Sequence, residues 1–383
     1  MWVTSLALCA ALAAEPEESA WTAEQVMFTF AIVAYKGQSL DGNTLKDEAK
    51  TAEKIRHGLT HQPTLNGEWE LVWGPAIAKP PGTFIGANLV FVAREIDRPS
   101  QLVVGVRGTP NASIYDMLIE VMGLKPVPWE YGDRVANAGK IAHGIDVGLQ
   151  HIQTLEPCRH GDDKQKHRTS CEAEVPGAGI KLRDFLDGEA KAHPGGLDIA
   201  VVGHSLGGPI SVTLSQWLHD TRGEAWDRDE ATDLHTWTFA AQTAGDADFA
   251  RYADERIGPN LHRMENSLDM VPLWWDPETL ARIPTLYEPC GIHEAAILGP
   301  AAKVATAAVE GAHYTHLRAD QPSLKGHCAP ATKNKKNKKK RAHLLDEVLY
   351  QHIEGYAALL ELDGVVHLGA ATGERPRKRK STR

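Results

Sequence analysis

The stretch "AVVGHSLGGPIS", residues 200–211, decides how the chain is read. An apolar run ends at Gly203, a histidine and a serine follow, and the pair Gly207-Gly208 opens a segment with helical character. The pattern Gly203-His204-Ser205-Leu206-Gly207 predicts a strand, a sharp turn and a helix, with the Ser205 hydroxyl presented at the tip. Flanking glycines fit such a turn, because a side chain at either position collides with the neighbouring strand or helix. At a helix N-terminus the Leu206 amide points toward negative charge that develops on a bound carbonyl oxygen. Ser205 is therefore either a nucleophile or an ordinary residue of a strand–helix turn, and the rest of the chain has to decide.

Working outward, strand-like runs occur at 68–74, 87–95 and 101–108, each bounded by Gly, Pro, Asp or Asn. "SIYDMLIEVMG" places Ile114, Met117, Leu118 and Val121 on one helical face. Residues 139–155 read as a strand leading into a helix, 179–193 as a helix, "LDIAVVG" as a buried strand and "GPISVTLSQWLHD" as a helix. "LHTWTFA" and "NLHRMEN" add two strands around the helix "DADFARYADERI". Strands alternating with helices imply an α/β fold whose mostly parallel central sheet carries helices on both faces.

Three stretches, "VVGVRGTPNASIYDML", "IAVVGHSLGGPISVTLSQWL" and "TFAAQTAGDADFARYADERIGPNLHRMENSLDMVPLWW", resemble in content and order the class 3 lipases of the α/β-hydrolase fold. They span about residues 85 to 290, and "DMVPLWWDPETLARIPTLY" looks like the bacterial-type subgroup. The resemblance implies a Ser-Asp-His triad. Ser205 is its nucleophile, and Asp269 in "NSLDMVP" orients the base, since a carboxylate fixes the tautomer of a histidine that becomes imidazolium. It also implies an oxyanion hole in which Thr109, after Arg107-Gly108, and the Leu206 amide are the donors. Asp246, Asp248 and Asp254 fall on a surface helix and fit the acid less well. The base is His352 in "LYQHIEGYAALLEL", which looks like the Gln-His-then-Tyr closing segment of that subgroup. His316 and His313 in "GAHYTHL" are the alternatives, because His352 also shares a helical face with Leu345, Val348, Leu349 and Tyr356 and would equally suit a core position. His204, beside the nucleophile, is expected to pack under the turn.

Residues 113–131 follow the oxyanion turn, where these lipases carry a helical lid, and Met117, Leu118 and Trp129 are the candidate substrate contacts. A helix packed permanently on the sheet is the competing account. The function implied is hydrolysis of carboxylic esters, acylglycerols or related lipids, through an acyl-enzyme, with no metal and no organic cofactor. The competing class is a non-catalytic lipid- or anionic-surface-binding protein that keeps the hydrolase fold. No histidine and cysteine grouping has recognisable zinc spacing.

Composition sets the outer bounds. The chain has 383 residues, is 42% hydrophobic and carries a formal charge of -9. Its basic runs, 330–343 and 370–383, lack interleaved aromatics, which argues against nucleic acid and for a solvated loop and tail, with transient contact to a lipid surface as the alternative. Residues 1–14 read as a signal peptide that lacks a leading Lys or Arg, or else as a buried helix; the first reading places the protein in the periplasm or outside the cell. Residues 15–369 then form one domain with an insertion at 156–178. Export would allow Cys158 to pair with Cys171 and Cys290 with Cys328, although sequence alone does not fix the connectivity, and four reduced thiols are the alternative. The oligomeric state is left open.

Overall fold

The computed structural model describes residues 21–36, 48–78, 88–108, 125–132, 138–159, 173–293, 298–330 and 344–369. Its centre is a six-stranded sheet of β1 (Trp69–Ala78), β2 (Asn88–Glu95), β3 (Gln101–Arg107), β6 (Asp198–His204), β7 (Asp233–Phe239) and β9 (Leu261–Met264), in the order β1-β2-β3-β6-β7-β9. The β3-β6, β6-β7 and β7-β9 pairings are parallel. β1-β2 and β2-β3 are antiparallel, because only a short turn separates β2 from β3 and no crossover helix fits there. A small four-stranded sheet, β10-β8-β5-β4, is built from β4 (Pro126–Pro128), β5 (Lys140–Ala142), β8 (Gly245–Asp246) and β10 (Tyr314–Thr315).

The central strands read as continuous apolar runs because both faces of the sheet are buried. Along β6, Ile199 and Val201 enter one core while Ala200 and Val202 enter the other, and β2 alternates in the same way at Val90 and Val92 against Leu89, Phe91 and Ala93. The first core is closed by α3 (His143–Thr154), α4 (Leu182–Ala192), α5 (Gly207–Thr221) and α6 (Ala247–Arg256). The second is closed by α1 (Ala23–Val33), α2 (Glu48–His61) and the C-terminal helix. Neither α1 nor α2 is anticipated from the sequence pattern; α1 is so evenly apolar that it shows no amphipathic stripe, and six of its residues are buried.

The chain continues through α7 (Pro277–Leu280) and α8 (Gly299–Val309) to a final helix with an irregular middle. That helix runs as α9 (Leu344–Leu349), a π turn over Tyr350–Glu354, and α10 (Gly355–Leu359). No helix among the described residues is long and apolar enough to cross a membrane. Cys290 and Cys328 are joined in a disulfide. Cys171 lies outside the described residues, and so does its proposed pairing with Cys158, along with residues 1–14, most of the 156–178 insertion, nearly all of the 330–343 run and the 370–383 tail.

Candidate active site

Ser205 is placed by the junction of β6 and α5. Its φ is 58°, a left-handed conformation that a serine adopts only when its surroundings impose it. The imposition is visible on both sides. The Ser205 amide donates to the Phe239 carbonyl of β7 at 2.9 Å, and the Gly208 amide donates back to the Ser205 carbonyl at 2.8 Å. A Cβ at Gly203 would lie 2.1 Å from the Gly207 carbonyl oxygen, and one at Gly207 would lie 2.5 Å from that of Val106, so both positions admit only glycine. Ser205 is buried, 3% exposed.

Leu206 sits at the N-cap of α5, where first-turn amides have no intrahelical acceptor. The Arg107-Gly108 turn packs directly onto it: a Cβ on Gly108 would stand 3.1 Å from the Gly207 nitrogen and 2.5 Å from the His204 carbonyl oxygen. Arg107 is fully buried beside Tyr35, and burial pulls its pKa down to about 10, which leaves it charged at neutral pH. Thr109, Met117 and Leu118 lie outside the described residues.

Asp269 and His352, remote in sequence, meet in the interior. His352 Nδ1 is 3.0 Å from Asp269 Oδ2, and the two residues are 1% and 0% exposed. The Tyr356 hydroxyl donates to the same oxygen at 3.2 Å, and the Val271 amide donates to Oδ1 at 3.0 Å. A carboxylate oxygen can only accept here, so Nδ1–H is the donor to Asp269 and Nε2 is the ring nitrogen left over. Nε2 is buried and has no hydrogen-bond partner. Burial, reinforced by the adjacent Asp269, holds the Tyr356 hydroxyl pKa well above its usual value, so it remains a donor.

His204 connects the two halves. Its Nε2 donates to the His352 carbonyl at 2.7 Å, its Nδ1 accepts from the Tyr35 hydroxyl at 3.2 Å, and its ring centroid lies 4.6 Å from that of His352. Burial and the neighbouring His352 ring push its pKa far down, so it is a neutral strut packed under the turn.

Among the other sequence candidates, His316 is buried, and its pKa is lowered by burial and by Arg263 against a bond to the Pro272 backbone; His313 is exposed and offers its carbonyl to the Ala247 amide. Neither pairs with Asp269. Trp129 requires a correction. Its ring is buried against Tyr131 and Phe249, and its indole donates to Asp220 at 2.8 Å. Asp220 is in the last turn of α5, about 20 Å from Gly207 at 1.5 Å per residue, so Trp129 is a core residue and does not wall the site. Asp246 caps α6 by accepting from the Phe249 amide. Asn266, Gln351 and Glu347, which support the Asp269–His352 pair from below, carried no signal beyond the Gln-His dipeptide.

Residues 179–275 match the family model described as "Lipase (class 3)". The crystal structure of M37 lipase is similar at 28% identity and a TM-score of 0.78, over 92% of this chain and 97% of that one. The segment 179–275 thus carries the likeness to the class 3 lipases, and the chain as a whole is similar in structure to a lipase. Lipase-family structures that align less well include the LIP2 lipase of Yarrowia lipolytica, at 17% identity and a TM-score of 0.44 over 65% of this chain and 72% of that one. Lipase II from Rhizopus niveus aligns at 15% identity and a TM-score of 0.41, with the same two coverages. No curated protein sequence matches significantly. The fold is the α/β-hydrolase fold of the lipase structure it resembles, and the matched segment contains both Ser205 and Asp269.

Proposed function

We propose that the chain hydrolyses carboxylic esters of lipids, acylglycerols foremost, by a Ser205–His352–Asp269 relay. The class 3 lipase match over 179–275 and the likeness to M37 lipase support an ester-hydrolysing enzyme of the lipase type. The observation that carries the residue assignment is the buried Asp269–His352 pair, which leaves His352 Nε2 unpartnered while the ring packs 4.6 Å from that of His204 in the strained elbow. Ser205 Oγ attacks the ester carbonyl carbon and passes its proton to His352 Nε2. Asp269 holds the resulting imidazolium through Nδ1–H, and the oxyanion faces the Leu206 amide and Thr109. His352 then returns the proton to the departing alcohol, and a water molecule, activated by the same imidazole, releases the acid from the acyl-serine.

Selection of lipid over small soluble esters rests on the apolar run at 113–131 and on contact with a lipid surface. The Cys290–Cys328 disulfide fits an oxidising compartment, periplasmic or extracellular. Hydrolysis of p-nitrophenyl esters from short to long chains, with Ser205→Ala and His352→Ala checked for folding, tests the assignment. Losses of three orders of magnitude or more in both variants are expected. A folded His352→Ala protein that keeps its turnover removes His352 as the base, and an active Ser205→Ala protein removes the relay.

A further inference from the structure

Beneath the Asp269–His352 pair lies a run of polar side chains that proton transfer does not use. Glu347, Gln351 and Asn266 are each at most 1% exposed. Glu347 accepts from the Ala329 amide at 3.0 Å and from Gln351 Nε2 at 2.7 Å, and the same nitrogen donates to the His327 carbonyl at 2.8 Å. Asn266 Nδ2 donates to Gln351 Oε1 at 2.7 Å and to the Gln351 carbonyl at 3.0 Å. The Asn266 amide donates to the Tyr356 hydroxyl at 2.9 Å, and that hydroxyl donates to Asp269. The chain of hydrogen bonds is unbroken from the Glu347 carboxylate to the acid of the pair, and a fully satisfied buried network of this kind fixes one arrangement of its members.

The network acts on the backbone that carries His352. In an α-helix the Gly355 amide would serve the Gln351 carbonyl; here it donates to Tyr350, one residue further back, as a π turn requires. Asn266 serves the Gln351 carbonyl instead. Gly355 leaves the room: a Cβ there would lie 2.9 Å from Asn266 Nδ2 and 3.2 Å from Gln351 Oε1.

We propose that Gln351, clamped between Asn266 and Glu347, is a positioning residue for the base, holding the π turn in the register that gives His352 Nδ1 to Asp269 and Nε2 to Ser205. This rests on His352 being the base. The test compares kcat and KM for a p-nitrophenyl ester in full-length Gln351→Leu, Asn266→Leu, Glu347→Leu and Glu347→Gln proteins, with the folded fraction set by circular dichroism. Per folded molecule, the three leucine variants lose 10- to 100-fold in kcat with KM within about two-fold, the signature of a misplaced catalytic group. Glu347→Gln keeps an acceptor for Gln351 and Ala329 and retains kcat within about three-fold. Gln351→Asn, a milder change, stands in if the leucine variant does not fold, with the same kcat-specific loss expected. Folded Gln351 variants with parental kcat, or losses confined to KM, overturn the proposal. His352→Ala measured alongside separates the two layers: if it stays active, the base assignment fails and takes this inference with it, whereas an inactive His352→Ala beside unaffected Gln351 variants sinks the inference alone.

Discussion

His204 Nε2 lies 2.7 Å from the carbonyl oxygen of His352, so the residue before Ser205 holds the backbone that carries His352. His204→Phe fills the space but removes the donor, leaving a buried carbonyl unsatisfied at a cost of about 1–3 kcal/mol. Denaturant unfolding should show that loss together with a fall in kcat of tenfold or more. A variant as stable and as active as the parent would make the strut dispensable.

Asp269 accepts from three donors and fixes the Nδ1–H tautomer of His352. Asp269→Asn presents an amide that favours the wrong tautomer, and kcat should fall by about three to four orders of magnitude, as expected for the loss of this orienting charge. Steady-state ester hydrolysis near neutral pH checks it; a loss under tenfold would mean another group orients the base.

Acid should destabilise the fold early. Burial is the main cause of the lowered pKa of both His204 and His316, with the neighbouring His352 ring and the Arg263 guanidinium adding to it respectively. Both bind protons more readily unfolded, at an ordinary pKa of about 6.5, so their contribution is complete above that pH and is lost as pH falls below it. Each steepens the stability profile by up to about 1.4 kcal/mol per pH unit. Unfolding free energies between pH 7.5 and 5 should show this slope, and His316→Phe should remove one proton's share. A flat profile would contradict the buried, neutral assignment.

The Cys290–Cys328 bond closes a loop with a sequence separation of 38. Replacing both cysteines by serine should cost about 2–4 kcal/mol through the greater freedom of the unfolded chain. The shift in the urea midpoint measures it, and an unchanged midpoint would show that the bond adds nothing to stability.

Gln242 follows the β7 end next to the elbow, and both of its amide atoms are buried without a partner. Unsatisfied polar atoms of this kind cost about 1–3 kcal/mol. Gln242→Met should therefore raise Tm by a few degrees, and a lower Tm would show that the amide is satisfied in solution.

Much of this was legible in residues 200–211, because a turn that tight leaves few options: glycines at 203 and 207, a strand before and a helix after. Asp269 was legible for a related reason, since a short motif in a loop after a strand carries it. His352 was harder. Its spacing from Leu345, Val348 and Tyr356 is that of a core helix, and in the structure it sits within a π turn. A π turn has no residue signature, and the amides that stabilise it come from residues 85 positions apart. Trp129 was misjudged because an aromatic near a predicted lid looks like a substrate wall, while its partner Asp220 stands far along another helix. Helix α1, which leads to the Tyr35 that hydrogen-bonds His204, has no periodicity to reveal it.

The order in which the parts of the site leave the ribosome follows from their order in the chain. Asp269 precedes His352 by 83 residues, and Gln25 of α1 hydrogen-bonds the Leu360 carbonyl across a separation of 335. The contact between α1 and the helix that carries His352 can form only after residue 360 has been made, and Ser205 is translated well before the proposed base. Under the proposed relay, the site is therefore complete only once that closing helix has packed against the elbow.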